Sequence, residues 1–428
     1  MSVRLHLIAS KPTDSVIYGF LPAAGRLGLE VFVLTDQPDA YERAIARARG
    51  SLRPGALPGT APGGADVLMP GQDPAPVRVV GCDPWDARAL VAGMAMLPAP
   101  RAVFSNSDHL QAQTALAADY FDLPGKDWRS ALRAMDKALM RLRLAETGTE
   151  RVRASVITPA EPTPSGLRYP LVLKPATGVA SEDVVIVHDQ EDLARRSAQI
   201  FGRRPGERLL AEEYLTGTLR TMETLSDGVT TWVLGGFRTD LSAPPFFIEE
   251  RLTWDPPPAD AQKHVRAALG ALGVSFGPCH TEYVLGAGQA PRLIEVNDRL
   301  IGDHGDFLVC DLLGVDLFDR TLRIHCGQPL PPAVPRARGH AITECAVAGQ
   351  AGTLVTSPRP GPQPGAEPGV ALTYWPLREP GSHVALTHTN RDYLGVICAL
   401  GSDSAAVARS VGAFRAGGRW EIDGEPQP

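Results

Sequence analysis

Residues Cys279–Asp306 read CHTEYVLGAGQAPRLIEVNDRLIGDHGD. HTEYVL alternates, GAGQAP breaks the run, and RLIEVN alternates again, which predicts two strands joined by a Gly-rich turn near Gly288. The loop is about six residues long, which fixes the register to within one position. In that register Glu282 falls opposite Glu295. Alternation puts Glu295 and Asn297 on one face, with Glu282 and His280 facing them. Two carboxylates directly across a hairpin repel, so the pattern asks for a cation between them. Two carboxylates and an amide oxygen form a hard, oxygen-only set suited to Mg²⁺ carried in with a phosphate substrate. Arg299 follows two residues later and can hold an anion bidentately. The competing reading is an exposed hairpin with solvated charges; the apolar flanks VLGA and RLI weigh against it.

The chain has 428 residues with 44% apolar content, enough for two or three domains. A formal charge of −6 argues against a general nucleic-acid binder. Six scattered cysteines with no CxxC pair predict reduced thiols in a cytoplasmic protein, with neither a disulfide framework nor a zinc site. The opening MSVRLHLIASKPTD lacks a long apolar core, and no run approaches a membrane-spanning length, so neither a signal peptide nor a membrane partner is expected. Many of the 43 glycines and 39 prolines sit in Pro54–Pro76 and Pro358–Gly369, which read as surface loops.

Upstream, VRLHLIA, a helical stretch to about Leu27 and EVFVLTD form a β-α-β opening without a GxGxxG fingerprint. Further strands at Val77–Val80 and AVFS complete a small doubly wound unit, whose strand-end loops Ser10–Ser15 and Ser105–His109 are natural places to touch a ligand. Trp128–Glu146 reads as one helix carrying Lys137, either solvated or functional. The strand Leu171–Lys174 runs into PATGVASED, a small-residue loop where backbone N–H groups and the Lys174 ammonium can cradle a phosphate. Arg208–Leu215 and Val229–Phe237 read as strands, with Glu223 on a strand between them. Residues 238–258 read as a loop, and Pro258–Leu272 as an amphipathic helix. After the hairpin comes a helical stretch interrupted at Gly314-Val315, then a linker at 331–338, short strands from His340, and a helix over Ser404–Ala416.

The ordered set DKALMRLRLAETG, PLVLKPATGVASEDV, LLAEEYLTG, HTEYVL and LIEVNDRLIGD resembles the ATP-grasp superfamily of carboxylate–amine ligases. The branch most resembled holds L-amino-acid ligases and is similar to carbamoyl-phosphate synthetase and biotin carboxylase. The resemblance covers roughly residues 1–330. It implies an α/β (α+β) ATP-grasp fold in three parts. These are an N-terminal doubly wound pre-ATP-grasp domain at 1–124, an ATP-grasp domain at 125–330 with subdomains 125–207 and 208–330, and a small β-rich C-terminal domain at 331–428. Lys137 and Lys174 would bind ATP phosphates with Gly178; Glu212, Glu213, Tyr214 and Leu215 would form the strand whose backbone reads adenine, and Glu223 would also bind the nucleotide. Glu282, Glu295 and Asn297 would hold two Mg²⁺ ions, with Mn²⁺ as a substitute, and Arg299 would steady the transferred phosphoryl group.

The chain also departs from that pattern. Many relatives carry a ribose-binding acid where this chain has Leu219, and NPRxGG is replaced by NDRLIGDHGD. In that polar loop Asp303 or His304 is expected to contact the amine or to act as its base. The implied reaction joins a small-molecule carboxylate to an amine through an acyl-phosphate, releasing ADP and phosphate. A mobile lid would keep water out, from the loop near Gly178 or from Ser242–Pro258. Dimers are common among such proteins. The alternatives are an ATP-binding module without ligase activity and a small-molecule kinase of the same fold.

Overall fold

In the computed structural model the described residues are 3–48 and 76–424. The loop expected at Pro54–Pro76 lies outside them except for Pro76. Largely apolar runs form the first sheet. Val3–Ile8, Leu29–Thr35, Val77–Gly81 and Ala102–Phe104 pair in parallel, in the spatial order third, second, first, fourth. Both faces are covered, as all-parallel strands require. Helix Ala87–Ala95 is capped by the Asp86 side chain, which accepts from the N–H groups of Arg88 and Ala89. Between the first and fourth strands the order reverses. The loops at that point, Ser10–Asp14 and Ser105–Asp108, therefore splay apart above a crevice.

The helix expected over Trp128–Glu146 is two helices, Trp128–Met135 and Lys137–Glu146. Asp136 between them is extended (φ −102°, ψ 107°) and caps the second helix by accepting from Ala138 and Leu139 N–H. A capping aspartate competes with continued helix, and here the competition is won outright. The break puts Lys137 at the first helical position, with its N–H donated to the Ala176 carbonyl.

A four-stranded antiparallel sheet follows, ordered Ala154–Ile157, Leu209–Glu213, Leu171–Pro175, Val185–Val187. Its two central strands place Val172 opposite Glu212 and Lys174 opposite Leu210. Leu171, Leu173, Leu209 and Ala211 pack beneath them with Leu193 and Ile200 of helix Gln190–Arg203.

The largest sheet has ten strands. From one edge it runs Arg292–Asn297, Phe276–Leu285, Thr218–Asp227, Phe237–Leu241 and Glu249–Trp254. It continues through His340–Val347, Tyr393–Gly401, Val370–Pro376 and Gly361–Pro362, while Thr231–Gly235 pairs with Thr218–Asp227. One expectation is corrected here. Residues 238–258 are not a loop throughout, because the flanking prolines masked the strand Glu249–Trp254. That strand pairs with His340–Val347, so the sheet passes without interruption into the β-rich end of the chain. Helices Gly305–Leu313 and Leu317–His325 are separated at Gly314 (φ +63°) and lie between this sheet and the parallel one, with Phe318 edge-on to Phe20 at 5.0 Å.

The run VTTWVLGGF, expected as one strand, is bent at Gly235-Gly236 into Thr231–Gly235 and Phe237–Leu241, both paired with Thr218–Asp227. A Cβ on Gly236 would stand 2.0 Å from the Thr221 carbonyl oxygen, a backbone atom that cannot step aside. Gly236→Ala should therefore destabilise the protein by about 1–3 kcal/mol, the usual cost of overpacking. The measurement is the denaturant midpoint of the variant against wild type, and an unchanged midpoint would refute the close approach.

Candidate active site

A cavity of about 560 Å³ opens between the four-stranded sheet and the ten-stranded one. From the smaller sheet it takes Lys174, Gly178, Glu182 and the stretch Glu212, Glu213, Tyr214 and Leu215. From the larger sheet it takes His280, Glu282, Glu295, Asn297 and Arg299, with Asp303 on the following turn. Lys137 also lines it, from the helix start that Asp136 creates.

The hairpin register is His280 opposite Asn297 and Glu282 opposite Glu295, with a bulge after Glu282. The repulsion that this pairing implies is met by the protein's own cations. Lys137 Nζ lies 3.3 Å from Glu295 Oε2 and donates to the Gly178 carbonyl at 2.9 Å. His280 stands between two carboxylates, with Nδ1 2.8 Å from Glu223 Oε1 and Nε2 3.5 Å from Glu282 Oε1. Burial opposes a charged imidazole, but the Glu223 carboxylate and then Glu282 outweigh it and push His280 up to about 10. Burial likewise works to raise Glu282, and the His280 imidazolium overcomes it and holds the carboxyl below its ordinary range. Glu295 differs: burial raises it, and the Lys137 charge only partly offsets this and the nearby Glu282. The Glu295 side of the hairpin is therefore short of positive charge.

Among the described residues, no three His, Cys, Asp or Glu side chains are arranged to hold a metal by themselves. Glu282, Glu295 and the Asn297 amide supply an incomplete, hard set of the kind that substrate oxygens complete. That donor set fits a hard divalent cation such as Mg²⁺.

Lys174 is not a free ammonium. Its Nζ lies 2.6 Å from Glu212 Oε2, and the other oxygen of Glu212 accepts from Arg141 Nε at 2.6 Å. Arg141 also meets Glu150 at 3.2 Å, and Glu150 in turn accepts the Leu293 N–H. This buried chain links the Lys137 helix, the small sheet and the carboxylate strand. Burial pushes Lys174 down despite Glu212. Burial would raise Glu212, but Arg141 and Lys174 together hold it at about 2.

Other expected residues lie further off. Glu223 is buried behind His280, where its carboxylate also accepts from the Thr221 hydroxyl at 2.7 Å, and it does not line the cavity. His304 sits at the start of helix Gly305–Leu313 in a left-handed conformation (φ 61°), stacked on Trp375 at 4.2 Å and 3.2 Å from Asp14. It is turned from the cavity that Asp303 borders. Leu219 lines the cavity as an apolar wall. Among the lining residues that the sequence reading did not single out are Asp108, Glu249, Asn390 and Arg391. Asp108 stood within a flagged loop, whereas Glu249 lay in the stretch taken as coil. Burial pushes Glu249 up to about 8, with the Glu282 carboxylate adding to it. The loop holding Gly178 and Glu182 is fastened on both sides. Glu182 pairs with Arg204 and with Arg391, and the Ala180 carbonyl accepts from Asn390 N–H at 3.1 Å.

No family model matches the chain. Against solved structures it superposes over its whole length on proteins of one architecture, and it has the ATP-grasp fold. An L-amino acid ligase from Bacillus licheniformis gives a TM-score of 0.75 at 21% identity, covering 99% of each chain. Phosphoribosylglycinamide synthetase from Anaerococcus prevotii gives 0.66 at 12% identity, covering 99% of this chain and 100% of that one. The biotin carboxylase domain of 2-oxoglutarate carboxylase from Hydrogenobacter thermophilus, solved with MgADP and bicarbonate, gives 0.67 at 17% identity over 99% and 91%. In sequence, the chain is 28% identical over 264 residues to an uncharacterized protein, y4rH, of Sinorhizobium fredii, covering 59% of this chain and 54% of that one. It is 37% identical over 98 residues to carnosine synthase 1 of Mus musculus, covering 23% of this chain and 12% of that one. The chain thus spans about half the length of the first of these relatives and a small part of the second.

The Glu212 cluster carries a pH signature. Folded Glu212 keeps its charge down to about pH 2, whereas an unperturbed glutamate takes a proton near 4.5. Its contribution to stability is complete above pH 4.5 and is lost as pH falls toward 2. Glu212→Gln should lower stability at neutral pH and flatten the decline across that window, as followed by denaturant titration at each pH. Arg141→Met, which leaves two buried carboxylates short of a partner, should cost about 3–5 kcal/mol at neutral pH.

Proposed function

We propose that this chain is an ATP-dependent carboxylate–amine ligase. The observation that carries the reading is one cavity with two lysines, Lys137 and Lys174, on one wall and the Glu282–Glu295–Asn297 set with Arg299 on the other. Phosphoryl transfer needs little more than positioning and charge compensation, and those parts supply both. In this reading the backbone of Glu212–Leu215 reads adenine, which suits a Glu212 side chain already committed to Arg141 and Lys174. Lys137 and Lys174 hold the phosphates, and the nearby Gly178 loop covers them.

Glu282, Glu295 and Asn297 would hold magnesium, two ions in the fullest form of this reading, with manganese able to replace it. When bound, that metal supplies positive charge against the phosphate oxygens. A carboxylate oxygen of the first substrate attacks the γ-phosphorus, the bond to the ADP oxygen breaks, and an acyl-phosphate forms. Arg299 steadies the transferring group. The amine of the second substrate then attacks the acyl carbon, phosphate leaves, and the proton lost from nitrogen passes to a carboxylate on the cavity wall. Asp303 fits that role, since His304 is engaged with Asp14 and Trp375. The loop of Gly178 and Glu182 is the better lid, because the strand Glu249–Trp254 anchors Ser242–Pro258 in the large sheet. Small-molecule substrates in biosynthesis, a cytoplasmic setting and a homodimer complete the reading. Among the described residues no helix is long and apolar enough to cross a membrane.

The test is incubation with ATP, Mg²⁺ and pooled carboxylic acids and amines, with phosphate release and product masses followed together. The expected product is lighter by one water than the sum of two substrates. A stable phosphorylated product without amide would replace the ligase with a kinase. Glu295→Ala should give a folded protein without ATP-dependent phosphate release; full activity in that variant would refute the metal assignment. Lys174→Ala should weaken ATP binding by calorimetry, and unchanged affinity would refute the phosphate role.

A further inference from the structure

The turn after the carboxylate strand is tied to the first domain and the segment after it three times. Lys126 Nζ lies 2.9 Å from Asp298 Oδ1, Arg299 Nε lies 2.6 Å from Asp108 Oδ2, and His304 Nε2 lies 3.2 Å from Asp14 Oδ2. Asp14 and Asp108 sit on the two loops flanking the strand-order reversal of the first sheet. Of these three pairs, the Asp108–Arg299 pair has both members on the cavity wall.

The guanidinium of Arg299 is held by one side. Nε donates to Asp108 and Nη1 donates to the Leu300 carbonyl at 2.7 Å, while Nη2 takes no partner among the described residues. An arginine on its flexible stem otherwise samples many rotamers, and a group that is to meet developing charge works best when already fixed. Burial opposes the Arg299 charge, and the Asp108 carboxylate more than restores it, so the cation is secure. The Asp108 Oδ1 atom is itself buried without a hydrogen-bond partner, so the carboxylate meets this demand through one oxygen.

We propose that Asp108 is a positioning residue: it clamps Arg299 by Nε so that the free Nη2 edge is presented to the phosphoryl group in transfer. The inference rests on the reading of the cavity as an ATP-using site and adds to it a residue from a different domain, 191 positions away in the chain. A merely structural Asp108 would instead help dock the first domain, and Asp14 serves as the control for that. Asp14 contacts the same turn from the neighbouring loop and is half exposed, so Asp14→Asn removes a docking contact without touching Arg299.

The experiment measures, on the full chain by calorimetry, the affinity for MgADP alone and for MgADP with aluminium fluoride, a stand-in for the phosphoryl group in flight. Wild type, Asp108→Asn, Asp108→Glu and Asp14→Asn are compared, with thermal midpoints confirming folding. Asp108→Asn should bind MgADP within about twofold of wild type but lose about tenfold to hundredfold for the aluminium fluoride complex, the scale of a misplaced group. Asp108→Glu should recover part of that loss, and Asp14→Asn should match wild type with both ligands. The proposal is overturned if Asp108→Asn loses affinity equally for both ligands or for neither, or if Asp14→Asn reproduces its selective loss. It also falls if wild type gains nothing from aluminium fluoride. The ligase reading is separable: a wild-type protein that gains affinity with aluminium fluoride yet makes no amide would sink the ligase and leave the clamp standing.

Discussion

Two glutamates facing each other across an antiparallel hairpin set the terms for the rest of this structure. Glu282 and Glu295 cannot both be buried and ionised without compensation. The surrounding elements supply it from opposite sides. His280, charged between Glu223 and Glu282, belongs to the sheet itself. Lys137 belongs to a helix that exists as a separate element only because Asp136 ends the one before it. The compensation is uneven, since burial still raises the Glu295 carboxyl despite Lys137. That imbalance makes the wall receptive to further positive charge.

A second constraint ties the two walls of the cavity together. Arg141 reaches both Glu212, which holds Lys174, and Glu150, which caps the Leu293 N–H of the carboxylate strand. One buried guanidinium therefore fixes the relative height of the lysine wall and the carboxylate wall. Buried pairs of this kind add little net stability, but they allow few alternative geometries once formed. The opposite rim is closed by contacts between more exposed groups, Glu182 with Arg204 and Arg391, which solvent weakens more readily. The cavity is thus stiff at its floor and more easily opened at its rim.

Local patterns made much of this legible. The hairpin register followed from alternation and loop length, and the helix at Ser404–Gly417 ends one residue beyond the expected Ser404–Ala416. The break at Asp136 was less visible, since a capping residue inside a periodic run does not announce which tendency prevails. Glu249–Trp254 was hidden by neighbouring prolines, although its own residues suit a strand whose partner lies far along the chain. The Asp108–Arg299 and Arg141–Glu212 pairs span 191 and 71 residues and leave no local trace at all. Sequence reading finds residues whose chemistry is marked by their immediate neighbours. It passes over those whose role is given only by what folds against them.

The continuity of the ten-stranded sheet has a consequence for how the protein comes apart. Glu249–Trp254 supplies Glu249 to the cavity and pairs along its other edge with His340–Val347, where Arg251 and Glu344 form an ion pair. If the last hundred or so residues detached, that strand would become an open, unpaired edge beside the cavity, exposed to pairing with other chains. The terminal strands and the carboxylate wall share one hydrogen-bonded sheet, so proteolytic nicking downstream of residue 339 would act on the site through the sheet.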